Sequence, residues 1–149
     1  MTAGSGEAAG CEGCARVEAA LAGGDPWLIA VLPHSVHLLG DHQAFEGYAV
    51  LWSRTHAGEL HHLDEASYDG LMRDLRRASW AVEKATHCAK LNVVSLGNVV
   101  RHAHLHLFPR AADDAQRLRH PWVHEGRFGD AGPVELRRRW VLALKEALR

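Results

Sequence analysis

A chain of 149 residues is long enough for one domain with a real hydrophobic core. With 47% hydrophobic and 23% charged residues and a formal net charge of -1, it has a globular composition and no basic excess to draw it onto nucleic acid or an anionic membrane. No apolar run approaches the roughly 18 residues of a membrane helix, and three Cys make no disulfide framework, so a reduced, cytoplasmic chain is expected.

Residues 1–10 are small and polar and read as a disordered lead-in, not a secretory signal. Cys11-Glu12-Gly13-Cys14 follows, two thiols suited to a tight knuckle around one metal ion. A redox pair is the rival reading, but that motif follows a strand, and only small and polar residues precede Cys11. Val17, Ala20 and Leu21 give a helical turn or two, ended by Gly23-Gly24. Trp27 to Val31 and Val36 to Leu39 are short apolar strands parted by Pro33-His34, and Gly47 to Trp52 is a third. Together they predict an antiparallel meander.

Asp64 is a good N-cap for a helix with an apolar stripe through Tyr68, Leu71, Met72, Leu75, Val82 and Ala85. Its other face, with Arg73, Asp74, Arg76, Arg77 and Lys84, reads as solvated. Leu91 to Leu96 is a strand that stops at Gly97-Asn98. The four-residue connection Asn98 to Arg101 is short enough that the next strand pairs with this one.

That next stretch is His102-Ala103-His104-Leu105-His106-Leu107-Phe108-Pro109-Arg110. In a strand, side chains alternate, so Ala103, Leu105 and Leu107 can be buried while His102, His104 and His106 form one exposed row. Neighbouring imidazoles then stand roughly 6 to 7 Å apart, a spacing that suits one phosphate-sized ligand, or a ligand and a metal. From Ala111 to Gly132 periodicity is lost, with Trp122 as the one large apolar anchor. A loop that long usually covers a site or contacts a partner. Pro133 opens a last helix at N1, with Leu136, Trp140, Val141, Leu144 and Leu148 as its apolar stripe and Arg137-Arg138-Arg139 on its solvated side.

The order C-x-x-C, meander, amphipathic helix, strand and H-x-H-x-H strand resembles the histidine triad family over roughly residues 11–110, leaving 111–149 as a loop and helix packed on the same domain. Leu39-Gly40-Asp41-His42 and Leu96-Gly97-Asn98 are similar to bacterial dinucleoside polyphosphate hydrolases of that family. The resemblance implies an α+β fold: a meander sheet, one long helix and, in this chain, a C-terminal helix. It also implies an enzyme that hydrolyses or transfers a nucleotide through a covalent nucleotidyl-histidine, with His104 as the nucleophile.

Physical chemistry supports that role, since a neutral imidazole is a competent nucleophile at pH 7. His106, one pleat along, is placed to donate to a phosphate oxygen or protonate the leaving group. Asn98 and nearby backbone N–H groups can hold the non-bridging oxygens. By resemblance alone, Asp41 accepts from the ribose hydroxyls, although its spacing to Tyr48 differs by about a residue from the family pattern. Tyr48 also stands where many members carry a further His, and the Gly97 to His102 connection is shorter than in many relatives.

Some members join a C-x-x-C pair to a His after the third strand and to the first triad His. Here those are Cys11, Cys14, His56 and His102, which implies structural zinc. His61 and His62 lie too far from the strand end, and His34, His37, His42, His87, His120 and His124 read as surface or core residues. The expected partners are a small-molecule nucleotide and a second copy of the chain, paired through the long helix and the strand after it. Tyr68, Met72 and the Trp122 loop offer apolar surface for that pairing. The competing readings are a nucleoside phosphoramidase and a zinc-stabilised nucleotide-binding module without turnover. A purely structural protein fits least.

Overall fold

A computed structural model describes residues 8–149; residues 1–7, most of the expected lead-in, lie outside the described residues. Five strands form one sheet in the order β1-β2-β3-β5-β4, with β1 Leu28–Val31, β2 Ser35–Leu39, β3 Ala49–Ser53, β4 Lys90–Val94 and β5 His104–Arg110. Every neighbouring pair is antiparallel. Helix α1 (Glu12–Leu21) precedes the sheet, α2 (Glu65–Thr86) joins β3 to β4, and α3 (Val134–Ala147) ends the chain. This is the expected α+β architecture.

Each sheet face carries a hydrophobic core, and alternation along the strands sorts the residues between the two. Leu39, Ala49, Leu51, Leu105 and Leu107 belong to a core with Leu71, Ala78 and Val82 of α2 and Val141 and Leu144 of α3. Val36, Leu38, Tyr48, Val50, Trp52 and Phe108 form a second core with Val17 and Ala20 of α1, flanked by Trp122 and Phe128. The histidines share this second face, because His106 sits opposite Val50 and His104 opposite Trp52 in the β3–β5 register.

Helix α2 starts as its sequence requires: the Asp64 side chain accepts from the Ser67 backbone N–H at 2.9 Å. It stops at His87, whose left-handed φ of 51° breaks the helical run. Three expectations about exposure are corrected. Asp74 is buried, and its Oδ2 accepts from the His34 backbone N–H and the Ser35 hydroxyl, both at 2.8 Å, tying α2 to the start of β2. Arg137 is also buried, with its guanidinium carbon 3.8 Å from the Trp27 ring centroid and Nη2 donating to the Gly40 carbonyl. The histidine row is not an exposed face, since His102 and His104 are only 2% and 5% exposed beneath α1. Strand pairing, moreover, begins at His104 and leaves His102 just before β5. In all three cases a tertiary partner supplies what solvent would have supplied.

Smaller differences are local. Cys11 is the N-cap of α1, so the two thiols sit on a helix start, not on a knuckle. Pro133 is likewise the N-cap of α3 and not its first residue. The 111–132 segment contains a 3-10 turn, Pro121–Arg127, and is held down by Arg110. That fully buried guanidinium donates to Asp114, Asn92 and the carbonyls of Gln116 and Arg119. A buried Arg with all its donors engaged fixes the loop that surrounds it.

Candidate active site

Two clusters lie side by side on the second face of the sheet. The first gathers Cys11, Cys14, His56 and His102, whose ligand atoms all lie within 4.8 Å of one another. His102 leads into β5, His56 follows β3, and the thiols come from the first turn of α1. Gly13 lets that turn approach, because a Cβ there would meet His102 at 2.4 Å. Sulfur-to-nitrogen distances are 3.3 Å for Cys14–His56 and 3.6 Å from each thiol to His102 Nδ1. A tetrahedral zinc with ordinary Zn–S and Zn–N bonds sets those edges at about 3.5 Å. Burial, then the facing Cys11, pushes the Cys14 thiol up to about 11, and a divalent cation offsets both effects. Donor type, count and spacing therefore fit a tetrahedral zinc ion. His61 and His62 are exposed and stand outside the cluster.

The second cluster is a cavity of about 290 Å³ lined by His104, His106, Asp41, Asn98, Arg16, Tyr48 and Trp52, among others. Its polar groups form a chain whose directions are fixed, because a carbonyl oxygen can only accept. His102 Nε2–H donates to the Ser53 carbonyl at 2.7 Å, which leaves His102 Nδ1 bare toward the thiols. His104 Nδ1–H donates to the His102 carbonyl, so His104 Nε2 carries a lone pair. That lone pair lies 3.1 Å from His106 Nε2, which must then bear the hydrogen. His106 Nδ1 in turn accepts from the Tyr48 hydroxyl at 2.6 Å. One backbone carbonyl and one phenol thus set two tautomers.

The electrostatics agree with neutral rings. Burial holds His104 below its ordinary value, with the Arg16 charge adding to the effect and the His102 carbonyl opposing it. Burial, then His104 and His42, brings His106 down to about 4. Burial keeps the Tyr48 phenol well above its usual range, so it remains a donor. Tyr48 is held from behind: a Cβ at Gly40 would meet its ring at 2.1 Å, and His42 stacks on it with centroids 4.4 Å apart. Phe128 of the 111–132 segment stacks on the far side of His42 at 4.3 Å.

The site residues read from sequence thus divide between these two places, His104, His106, Asp41 and Asn98 at the cavity and the other four in the cluster. Asn98 is exposed on the cavity wall, and both Asp41 carboxylate oxygens are engaged by Arg16. Sequence reading missed Arg16, Trp52 and Phe128. Arg16 follows Cys14 by two residues on α1, and no spacing rule marks it. Trp52 stacks on His104 with centroids 4.4 Å apart, a contact that follows from register alone.

A family model described as HIT domain matches residues 28–113. Among solved structures, a histidine triad protein from Bradyrhizobium japonicum is 30% identical, covering 82% of this chain and 90% of that one, with a TM-score of 0.71. A Zn-bound histidine triad family protein from Mycobacterium smegmatis is 21% identical over 94% of both chains, with a TM-score of 0.70. A hypothetical histidine triad nucleotide-binding protein from Sulfolobus tokodaii is 14% identical over 91% of both chains, with a TM-score of 0.73, a likeness of fold. No curated protein matches the chain.

Proposed function

Because the chain belongs to the histidine triad family, we propose that it is an enzyme that hydrolyses or transfers a nucleoside phosphate derivative at its α-phosphorus, through a covalent nucleotidyl intermediate on His104. The observation that carries this reading is the chain of hydrogen bonds from Tyr48 to the His102 carbonyl, which leaves the His104 Nε2 lone pair facing a donor N–H in a cavity. His104 Nε2 forms the bond to phosphorus while the bond to the leaving group breaks. The electron pair departs with the leaving group, whose growing negative charge the His106 Nε2–H stabilises by donating a hydrogen bond to it. As positive charge develops on His104, its Nδ1–H bond to the His102 carbonyl strengthens. Water or an acceptor hydroxyl then attacks the phosphorus as the bond to His104 Nε2 breaks; that electron pair returns to the imidazole, and the attacking group's proton passes to the departing leaving group or to solvent.

The Cys11, Cys14, His56 and His102 cluster holds zinc in this reading, consistent with the Zn-bound relative. The ion's work is structural: four protein ligands complete a tetrahedron and leave no open position for substrate. They join the start of α1 to the strand that bears the nucleophile. Asp41 accepts from the ribose, and Asn98 donates to phosphate oxygens. A cavity of about 290 Å³ is at the small end for a ligand site and suits one nucleotidyl unit. A dinucleoside polyphosphate or a nucleoside phosphoramidate would leave its second part outside.

A screen of both substrate classes, reading released nucleotide, tests the proposal. The parent should turn over at least one of them, and His104→Ala should be slower by several orders of magnitude with its fold intact. A His104→Ala protein as fast as the parent would end this mechanism.

A further inference from the structure

We propose that Arg16 is the residue that selects a phosphate-bearing ligand at this site, exchanging Asp41 for the phosphate oxygens and so freeing Asp41 for the ribose. The proposal rests on the nucleotide reading above and adds a residue and a division of labour to it.

Charge is the first argument. Arg16 is the one Lys or Arg among the described residues lining the cavity, which also carries Glu12 and Asp41. A phosphodiester or phosphoramidate brings a full negative charge at the reacting phosphorus. Imidazole N–H groups, an amide and backbone N–H groups supply dipoles there, whereas Arg16 supplies a fixed charge.

Geometry is the second. Arg16 Nη1 and Nη2 donate to Asp41 Oδ1 and Oδ2 at 3.0 and 2.6 Å, a fork-to-fork pair. The same fork matches two oxygens of a phosphate. While it is closed, each Asp41 oxygen gives one of its two lone pairs to the guanidinium, and opening it returns the full acceptor capacity of both oxygens to the ribose hydroxyls. The pair lies open to solvent, with the Arg16 and Asp41 side chains 31% and 67% exposed, and Arg16 Nε keeps Glu12 as a second partner at 3.4 Å, so a ligand phosphate reaches the fork directly.

Position is the third. The Arg16 guanidinium carbon lies 5.6 Å from the centroid of the Trp52 ring, and that same indole stacks on His104. The cation and the reacting imidazole therefore share one neighbour. Arg16 projects from α1 into the cavity lining, so turning its side chain requires no movement of the sheet. A plain tether, pinning α1 to the Asp41 turn, would use the same hydrogen bonds but would not distinguish ligands by phosphate.

Calorimetric titration of the full-length protein with the four nucleoside 5′-monophosphates and their matching nucleosides separates these roles. Arg16→Ala should weaken monophosphate binding by about 10- to 100-fold, the range for lost hydrogen bonds to a charged group. Nucleoside binding should hold or tighten, because Asp41 is released. Arg16→Lys should recover part of the loss by restoring charge without the fork. With a turned-over substrate, KM should rise more than kcat falls. Equal weakening toward nucleoside and monophosphate would make Arg16 a tether, and no weakening would remove it from recognition; either overturns the proposal. If the parent binds neither ligand, the nucleotide reading falls and the Arg16 proposal falls with it. If the parent binds monophosphate as well as Arg16→Ala does, only the Arg16 proposal falls.

Discussion

His102 and His106 stand four residues apart around the start of one strand, share one sheet face and present opposite nitrogens. His102 gives Nε2–H to a backbone carbonyl and turns Nδ1 to two thiols. His106 accepts at Nδ1 from Tyr48 and turns Nε2–H to His104. Their neighbours differ in kind as well. The His102 end is a compact cluster of Cys and His at a helix start, whereas the His106 end leans on stacked aromatic rings, Tyr48, His42 and Phe128. Residue type and spacing do not assign a role; the group bonded to the second ring nitrogen does.

The strongest way to break this contrast is at the thiols. Structural metal sites contribute folding free energy outright, so Cys14→Ser should lose bound zinc and lower the melting temperature by roughly 10 °C or more, with turnover falling as a consequence. Elemental analysis beside a thermal melt checks both; unchanged metal content and melting would refute a four-ligand site. At the other end, Tyr48→Phe should leave zinc and melting nearly intact. With no phenol at Nδ1, the His106 hydrogen is free to move there, and the N–H donor that meets the leaving group is lost. Turnover should then fall on the order of 100-fold, the range for losing one hydrogen-bond donor to developing charge. A Tyr48→Phe enzyme with parental kcat would show that the phenol does not set the tautomer.

What was legible in the sequence follows the same division. Period-two alternation placed Ala103, Leu105 and Leu107 in the core and His104 and His106 on the other face, because strand geometry acts residue by residue. The Asp64 cap and the α2 stripe were likewise local signals. Arg16, Asp74, Arg137 and Phe128 were not legible, because each takes its role from a partner far along the chain: Asp41, Ser35, Trp27 and His42. A charged residue on a helix looks solvated until its partner is known. The exposed row expected of the histidines failed for that reason too, since nothing before Cys11 or within α1 announces that the helix lies over them.

A smaller effect probes histidines of both kinds through pH. His37 is fully buried on the α2 and α3 side of the sheet, both ring nitrogens lack a partner among the described residues, and burial brings it down to about 4. Its folded value lies below the ordinary 6.5, so between these values the unfolded chain binds the proton more readily. Its contribution is complete above pH 6.5 and is lost as pH falls toward 4, at most about 3 kcal/mol. His42, also brought to about 4, steepens the same slope. Urea titrations at pH 7.5 and 5 should show that slope, and His37→Leu should flatten it at little cost at pH 7.5. An unchanged slope would place the acid sensitivity elsewhere.

The smallest expected effect concerns assembly. We propose a homodimer through α2 and the sheet edge at β4, where Tyr68, Trp80 and Val93 are 40%, 62% and 41% exposed. Light scattering at tens of micromolar should give twice the chain mass, and Trp80→Glu should shift it toward the monomer. A monomer mass for the parent would contradict the pairing.

The most direct measurement is to quench the reaction under single-turnover conditions and map the protein by mass spectrometry. One nucleotidyl adduct is expected, on His104, and absent from His104→Ala. An adduct on another residue, or burst-free turnover with no adduct at any time, would contradict it.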